Sequence, residues 1–201
     1  MDKTKKPNFT RIVSWVILIA GIVGLFCSLI LVYDQVKIWQ NPSYQPTCSL
    51  NPVVSCGSVI SSNTGHIFGM PAPFLGLLTF PILITLGLML VRGVRFKKQV
   101  WLLIEAGSAG GFLFATWLFF ISVYQVNALC PFCIVTDVVV FTALWYVSLH
   151  NIEQGFIRLP VLMEKIRAYV LKHHLDILLI WFLLVFIFIM HHFWYYYGQF
   201  F

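Results

Sequence analysis

Charge is what this sequence has least of: Lys, Arg, Asp and Glu make up only 10% of its 201 residues, and just 7 of these are acids. A soluble domain carries about a quarter charged residues, so there is too little polar surface here to clothe a globule in water. Internal repeats and low-complexity stretches are missing as well, which leaves no sign of a repeat array or a biased tail. What fills the chain is apolar: hydrophobic residues occupy 60% of the positions. Lipid is the solvent such a composition calls for.

Crossing the hydrocarbon takes roughly 20 apolar residues in helical form. Five stretches qualify. The first runs uncharged from Ile12 to Tyr33, between Arg11 and Asp34, and the second covers Pro71 to Val91. The third covers Val100 to Tyr124 with Glu105 inside it, and the fourth Ala128 to Leu149 with Asp137 inside it. The fifth starts near Leu175 and runs into an aromatic tail containing Trp194, Tyr195, Tyr196 and Tyr197, residue types that favour the membrane interface. The first run is too long for the core of a signal peptide and no small-residue cleavage site follows it, so it is expected to be retained.

Basic residues mark the cytoplasmic side of short loops. Alternating spans gather Lys3, Lys5, Lys6 and Arg11 with Arg92, Arg95, Lys97, Lys98, Arg158, Lys165, Arg167 and Lys172 on one side, and leave only Lys37 on the other. The N-terminus is therefore expected in the cytoplasm and the C-terminus outside. This asymmetry accounts for the net charge of +6, so no nucleic-acid partner is expected.

Three units follow. Residues 1–150 form a four-helix core, with the extracytoplasmic loop 35–70 as a cap that is too small for a core of its own. Residues 151–173 form a cytoplasmic loop with a possible surface helix from Pro160 to Leu171. Residues 174–201 form the fifth transmembrane helix and a short outer tail. Pro81 is expected to kink the second span, and Gly107 and Gly111 to let helices approach closely.

Four of the five cysteines fall on the extracytoplasmic side, where disulfides persist. Cys48 and Cys56 lie in the cap, and Cys130-Pro-Phe-Cys133 opens the fourth span. A C-x-x-C at a helix start puts its first thiol in the partial positive charge of the helix terminus, which favours the thiolate, and its second thiol one turn deeper. Two such pairs in series can carry two electrons from a soluble protein to a lipid-soluble acceptor. Two alternatives stay open: a non-catalytic membrane scaffold with static disulfides, although rings this short constrain little of the unfolded chain, and a zinc site, although such sites favour polar knuckles. Cys27, alone in the first span, reads as packing.

Cys48-x7-Cys56 is followed by Gly-Ser-Val-Ile-Ser-Ser, then by Ile67-Phe68-Gly69-Met70-Pro71 and Leu75-Gly76, then by Cys130-Pro-Phe-Cys133. In this order, over about residues 12–150, the chain resembles bacterial members of the vitamin K epoxide reductase family. The resemblance implies an all-α integral membrane protein, with a four-helix bundle around a quinone of the ubiquinone or menaquinone type, no metal, and here a fifth transmembrane helix. It implies a disulfide-generating enzyme of the bacterial inner membrane that reoxidises a thioredoxin-fold, DsbA-like protein. Many such members carry that domain fused beyond the fifth helix; here the partner is expected to be separate. Carried over by position, Cys48 takes electrons, Cys56 passes them to Cys130, and Cys133 faces the quinone. Ser62, His66, Phe68 and Asp137 are the candidates for the quinone pocket. Gly65 stands where vertebrate members have an asparagine, and Asp137 where they have a tyrosine. Epoxide reduction is therefore the second reading.

Asp137 also stands out chemically. An acid inside a span costs about 2.5–3.5 kcal/mol on insertion scales and defaults to a functional hypothesis. It lies four residues after Cys133 and is a candidate proton donor to a quinone, with a hydrogen bond to a neighbouring helix as the bland alternative. Glu105 is expected to snorkel or to bond a neighbour. His173, His174, His191 and His192 read as interfacial residues rather than ligands.

Overall fold

The computed structural model describes residues 7–49, 51, 53–61, 66–67, 70–156 and 169–194. Among them, five helices are long and apolar enough to cross a membrane: α1 (Pro7–Gln40), α3 (Ala72–Val91), α4 (Lys98–Ile121), α5 (Pro131–Glu153) and α6 (His174–His192). A single-turn helix α2 (Cys56–Ile60) and a two-residue antiparallel pair, β1 (His66–Ile67) with β2 (Met70–Pro71), lie between α1 and α3. The protein is an all-α membrane protein, as its composition requires. The helix expected within 160–171 falls mostly outside the described residues, as do Tyr195, Tyr196 and Tyr197.

Two boundaries differ from the hydropathy reading. The helix α1 does not stop at Asp34 but runs on to Gln40, so Asp34 and Gln35 end up buried at 3% exposure. Hydropathy marks where lipid ends, but a helix continues as long as its backbone bonds hold and the cap packs against it. At the other boundary, α4 ends in a π-helical turn, Ser122–Val126, followed by Asn127 in the left-handed region (φ 53°). Asparagine is among the few residues that tolerate this conformation. The turn delays the start of α5 to Pro131, whose missing N–H costs nothing at the first helical position.

Packing is centred on α1, which lies against α3 and α5, while α5 also packs on α4. By contrast, α3 and α4 barely touch. The expectation for Gly107 and Gly111 is corrected here. A Cβ at Gly107 would meet nothing within 4 Å, and at Gly111 only Val140 Cγ1 at 3.7 Å. Close approach occurs instead between α1 and α3. There a Cβ at Gly87 would sit 2.8 Å from the Leu18 backbone, and one at Gly24 would collide with the Phe80 ring. A small-xxx-small spacing permits contact, but which face meets a partner is a tertiary matter.

At the end of the bundle away from the cysteines, Val13, Ile17, Leu90, Trp101, Ile104, Tyr146 and Val147 form an apolar core. Glu105 is held beside it by hydrogen bonds rather than by snorkelling. Its carboxylate accepts from Ser148 Oγ at 2.5 Å and from Asn151 Nδ2 at 3.0 Å, tying α4 to α5. The helix α6 buries no residue of its own. It touches the bundle through rings such as Trp181 on Phe141 (centroids 5.0 Å apart) and through Trp145 Nε1, which donates to the His174 carbonyl at 3.2 Å. Just beyond it, Phe193 is fully buried with Val53, Val123 and Leu129 under the cap. His173 pairs locally with Asp176, Nδ1 to Oδ2, at 2.8 Å.

Candidate functional site

The cap is strapped to the bundle by backbone. Asn51 Oδ1 accepts from the N–H groups of Val53 and Val54 at 3.0 and 2.6 Å, which holds a tight turn before α2. Val54 then bridges Leu129 in parallel: the Leu129 N–H donates to the Val53 carbonyl at 2.6 Å, and the Ser55 N–H to the Leu129 carbonyl at 3.0 Å. Ser55 caps α2 by accepting from the Ser58 N–H. On the other strand of the strap, Ser122 Oγ donates to the Ala128 carbonyl, fixing the chain just before Cys130.

This register brings the cysteines together. Cys48 and Cys56 form a disulfide, and Cys130 Sγ lies 3.4 Å from Cys56 Sγ in a pocket where both residues are 0% exposed. Cys130 and Cys133 are free thiols. Cys130 is the N-cap of α5, and its sulfur accepts from the Cys133 N–H at 3.4 Å. The Cys133 thiol beside it holds the Cys130 thiol below its ordinary range. The backbone N–H groups of Cys133 and Phe132 act in the same sense, against the opposing effects of burial and the Asp34 charge. Cys27 is buried on α1, within hydrogen-bonding reach of Thr136 and electrostatic reach of both inner cysteines.

Below the inner pair lies a cavity of about 720 Å³ between α1, α3, α4 and α5, with Cys130 and Cys133 on its wall and Val59 and Ile60 of α2 closing its outer end. Its walls are overwhelmingly apolar, including Phe80, Leu83, Ile104, Phe114 and Val140. Gly107, beside which a Cβ would meet nothing within 4 Å, and Gly111, which faces only the Val140 side chain, both line it. Its size and mainly apolar lining, with the two thiols and a few hydroxyl and amide side chains such as Ser28, Gln35, Ser108 and Thr136 as polar groups, match a site for a small lipid-soluble molecule. A quinone ring with part of an isoprenoid tail fits this description. Among the described residues, no three His, Cys, Asp or Glu side chains are grouped to hold a metal ion.

The remaining candidates are distributed differently. Ser62 and Phe68 fall outside the described residues, and of His66 only the backbone, paired with Pro71, is described. Asp137 is half-buried one turn along α5 from Cys133. Its Oδ1 has no hydrogen-bond partner among the described residues, and it stands beside the cavity wall rather than on it. Hydropathy reading treated Asp34 only as the end of a span, yet it faces the outer pair. Asp34 Oδ1 accepts from the Tyr44 hydroxyl at 3.1 Å, and Oδ2 lies 3.9 Å from Cys48 Sγ. The signal available in the sequence was related to the one that singled out Asp137: an acid, here at the edge of a span rather than inside it.

Two cysteine pairs within exchange distance, held over an apolar cavity in a helical membrane bundle, define a membrane protein of thiol–disulfide chemistry. The model of the Vitamin K epoxide reductase family matches residues 15–148, two thirds of the chain, and the protein belongs to that family. It is thus a multi-pass member of a family of quinone-linked membrane oxidoreductases. No curated protein matches the chain.

Proposed function

We propose that this protein generates disulfides by oxidising a separate thioredoxin-fold, DsbA-like protein outside the cytoplasmic membrane of a bacterium and delivering the electrons to a membrane quinone. The observation that carries this reading is the 3.4 Å separation of Cys56 and Cys130, one sulfur from each pair. A partner thiolate attacks Cys48, breaking the Cys48–Cys56 bond and releasing Cys56, and the partner's second thiolate displaces Cys48. Cys56 attacks Cys130 of an oxidised inner pair and frees Cys133. Closure of Cys48 onto Cys56 then releases Cys130 as a thiolate, which its N-cap position favours. The result is the state described here, an outer disulfide above an inner dithiol.

A quinone, when bound, supplies a two-electron, two-proton acceptor. The chain's own part is to place Cys133 on the cavity wall, keep water from the apolar chamber and return Cys130–Cys133 to the disulfide. Asp137, with a free oxygen one turn from Cys133, is the proton source in this reading, and Ser62, His66 and Phe68 are its further quinone-pocket candidates on the family resemblance. Among the described residues, Arg11, Arg92, Arg95, Lys97, Lys98 and Lys172 lie towards the end opposite the cysteines and only Lys37 towards theirs, which supports an N-terminus in the cytoplasm and cysteines outside.

Anaerobic turnover of purified protein with a thioredoxin-fold dithiol and a set of quinones tests the reading. Wild type reduces quinone and Cys133→Ala does not, while Cys56→Ala mixed with the oxidised partner accumulates a mixed disulfide, formed as the Cys48 thiolate attacks the partner's disulfide and frees its second thiol. Turnover by Cys133→Ala at the wild-type rate overturns the relay.

A further inference from the structure

Asp34 has no place in the relay as drawn, yet it is a carboxylate at 3% exposure with one oxygen aimed at the outer disulfide. Its other oxygen is held by Tyr44, which fixes the direction in which Oδ2 points. We propose that Asp34 is a catalytic residue that accepts and returns the proton of Cys48 during thiol–disulfide exchange. The inference rests on the relay reading above and adds to it the proton path that the exchange needs.

The need arises at one step. When Cys56 is joined to Cys130, Cys48 is a free thiol, and only its thiolate can attack Cys56. The attack forms the Cys48–Cys56 bond, breaks the Cys56–Cys130 bond and sends the electron pair to Cys130. The proton leaving Cys48 must go to a base, and Cys48 is only 8% exposed, so water has poor access. Asp34 Oδ2, 3.9 Å from the sulfur, is the base in contact with it. In the next cycle the partner's second thiolate displaces Cys48 from the mixed disulfide, and the Asp34 carboxylic acid returns the proton to the departing sulfur. The two transfers balance over a turnover, and no electrons pass through Asp34.

The groups around Asp34 are consistent with this task. From the cap come Tyr44 and Cys48, and from the start of α5 comes Cys130, whose charge Asp34 opposes. On α1 itself, Lys37 is turned onto the Tyr33 ring, 5.6 Å from its centroid. No ion pair of Asp34 is found among the described residues, so the carboxylate is not tied up as half of a salt bridge. Its fixed partner is a neutral hydroxyl, which orients it in either protonation state.

The test follows the intramolecular step directly. Purified protein with both pairs oxidised is mixed, without quinone, with a saturating thioredoxin-fold dithiol, quenched in acid at intervals and alkylated. Mass spectrometry then counts the Cys56–Cys130 species with Cys48 free. In wild type its decay changes less than about twofold between about pH 7 and 8, because the base is built in. In Asp34→Asn the species accumulates and decays about tenfold or more slower near pH 7. Its rate then rises about tenfold per pH unit and meets wild type above the ordinary thiol pKa of about 8.5. Asp34→Glu restores a flat profile.

Slowing of Asp34→Asn by one constant factor at every pH overturns the assignment, since that is the signature of a structural role. So does a wild-type rate that itself climbs about tenfold per pH unit, a result that needs no variant to fold. Absence of any Cys56–Cys130 species, with no electrons reaching the inner pair, overturns the relay and the proton path together. Transfer that proceeds with proton-limited kinetics overturns only the role of Asp34.

Discussion

Adding one methyl group at each of two glycines separates the packing seam from the cavity wall. At Gly87 a Cβ would lie 2.8 Å from both Cα and N of Leu18, backbone atoms that cannot rotate aside, so α1 and α3 must part. Overpacking of this kind costs about 1–3 kcal/mol. At Gly107 the same Cβ meets nothing within 4 Å. Both substitutions gain the same helix propensity, about 1 kcal/mol for alanine over glycine, so that contribution cancels in the comparison. Gly87→Ala should therefore be less stable than Gly107→Ala by about 1–3 kcal/mol, or roughly 5- to 150-fold in the unfolding constant. Detergent-induced unfolding of the purified variants in mixed micelles, followed by circular dichroism, measures the difference. Gly107→Ala should also shift the KM for quinone while Gly87→Ala should not, because Gly107 lines the cavity and Gly87 does not. Equal stabilities, or the reverse order, would refute the assignment of α1–α3 as the tight seam.

Further outcomes are expected elsewhere. Glu105→Ala strips Ser148 and the fully buried Asn151 of their shared acceptor and should lower stability by about 1–3 kcal/mol, whereas Glu105→Gln keeps an acceptor and should lose less; thermal unfolding in detergent measures both. Leu129→Pro deletes the N–H that donates to Val53, so electron transfer between the pairs in a single turnover should fall at least about tenfold, while alkylation still reports an intact Cys48–Cys56 bond. In the reduced protein, Cys130 lies below an unfolded thiol in pKa. Its thiolate contribution to stability is therefore complete above the unfolded value of about 8.5 and fades as pH falls through the folded one. Thiolate ultraviolet absorbance should accordingly titrate below free cysteine, and Cys133→Ala should move that titration upward. Asp137→Asn should slow quinone reduction yet leave the mixed disulfide at Cys48 intact, and unchanged quinone turnover would remove Asp137 from the proton path.

Much of the molecule is legible without coordinates, for definite reasons. Lipid demands long apolar helices, so the five spans emerge from hydropathy, although α1 runs on well past its expected end at Tyr33 to Gln40. The motif order around Cys48, Cys56, Cys130 and Cys133 places the chain in a family whose model covers the same core. Less legible were features that depend on which face meets which. Gly107 and Gly111 have the spacing of a packing motif and line a cavity instead, while Gly24 and Gly87, on separate helices, make the close contact. Asp34 looked like the edge of a span because hydropathy records transfer to lipid, not contact with a cap.

By itself, then, the order of residues determined that this chain spans a membrane, how many times, and that four of its five cysteines fall as Cys48 with Cys56 and Cys130 with Cys133 along the chain. Both are local quantities: transfer free energy is summed along a helix, and motif spacing is counted along the chain. Only the tertiary structure decided that Cys56 meets Cys130, that α3 and α4 part around a chamber, and that Asp34 faces Cys48. Those contacts join residues far apart in sequence through a two-bond strap and the shape of a glycine seam, and such contacts are set by the mutual fit of whole helices rather than by any one of them.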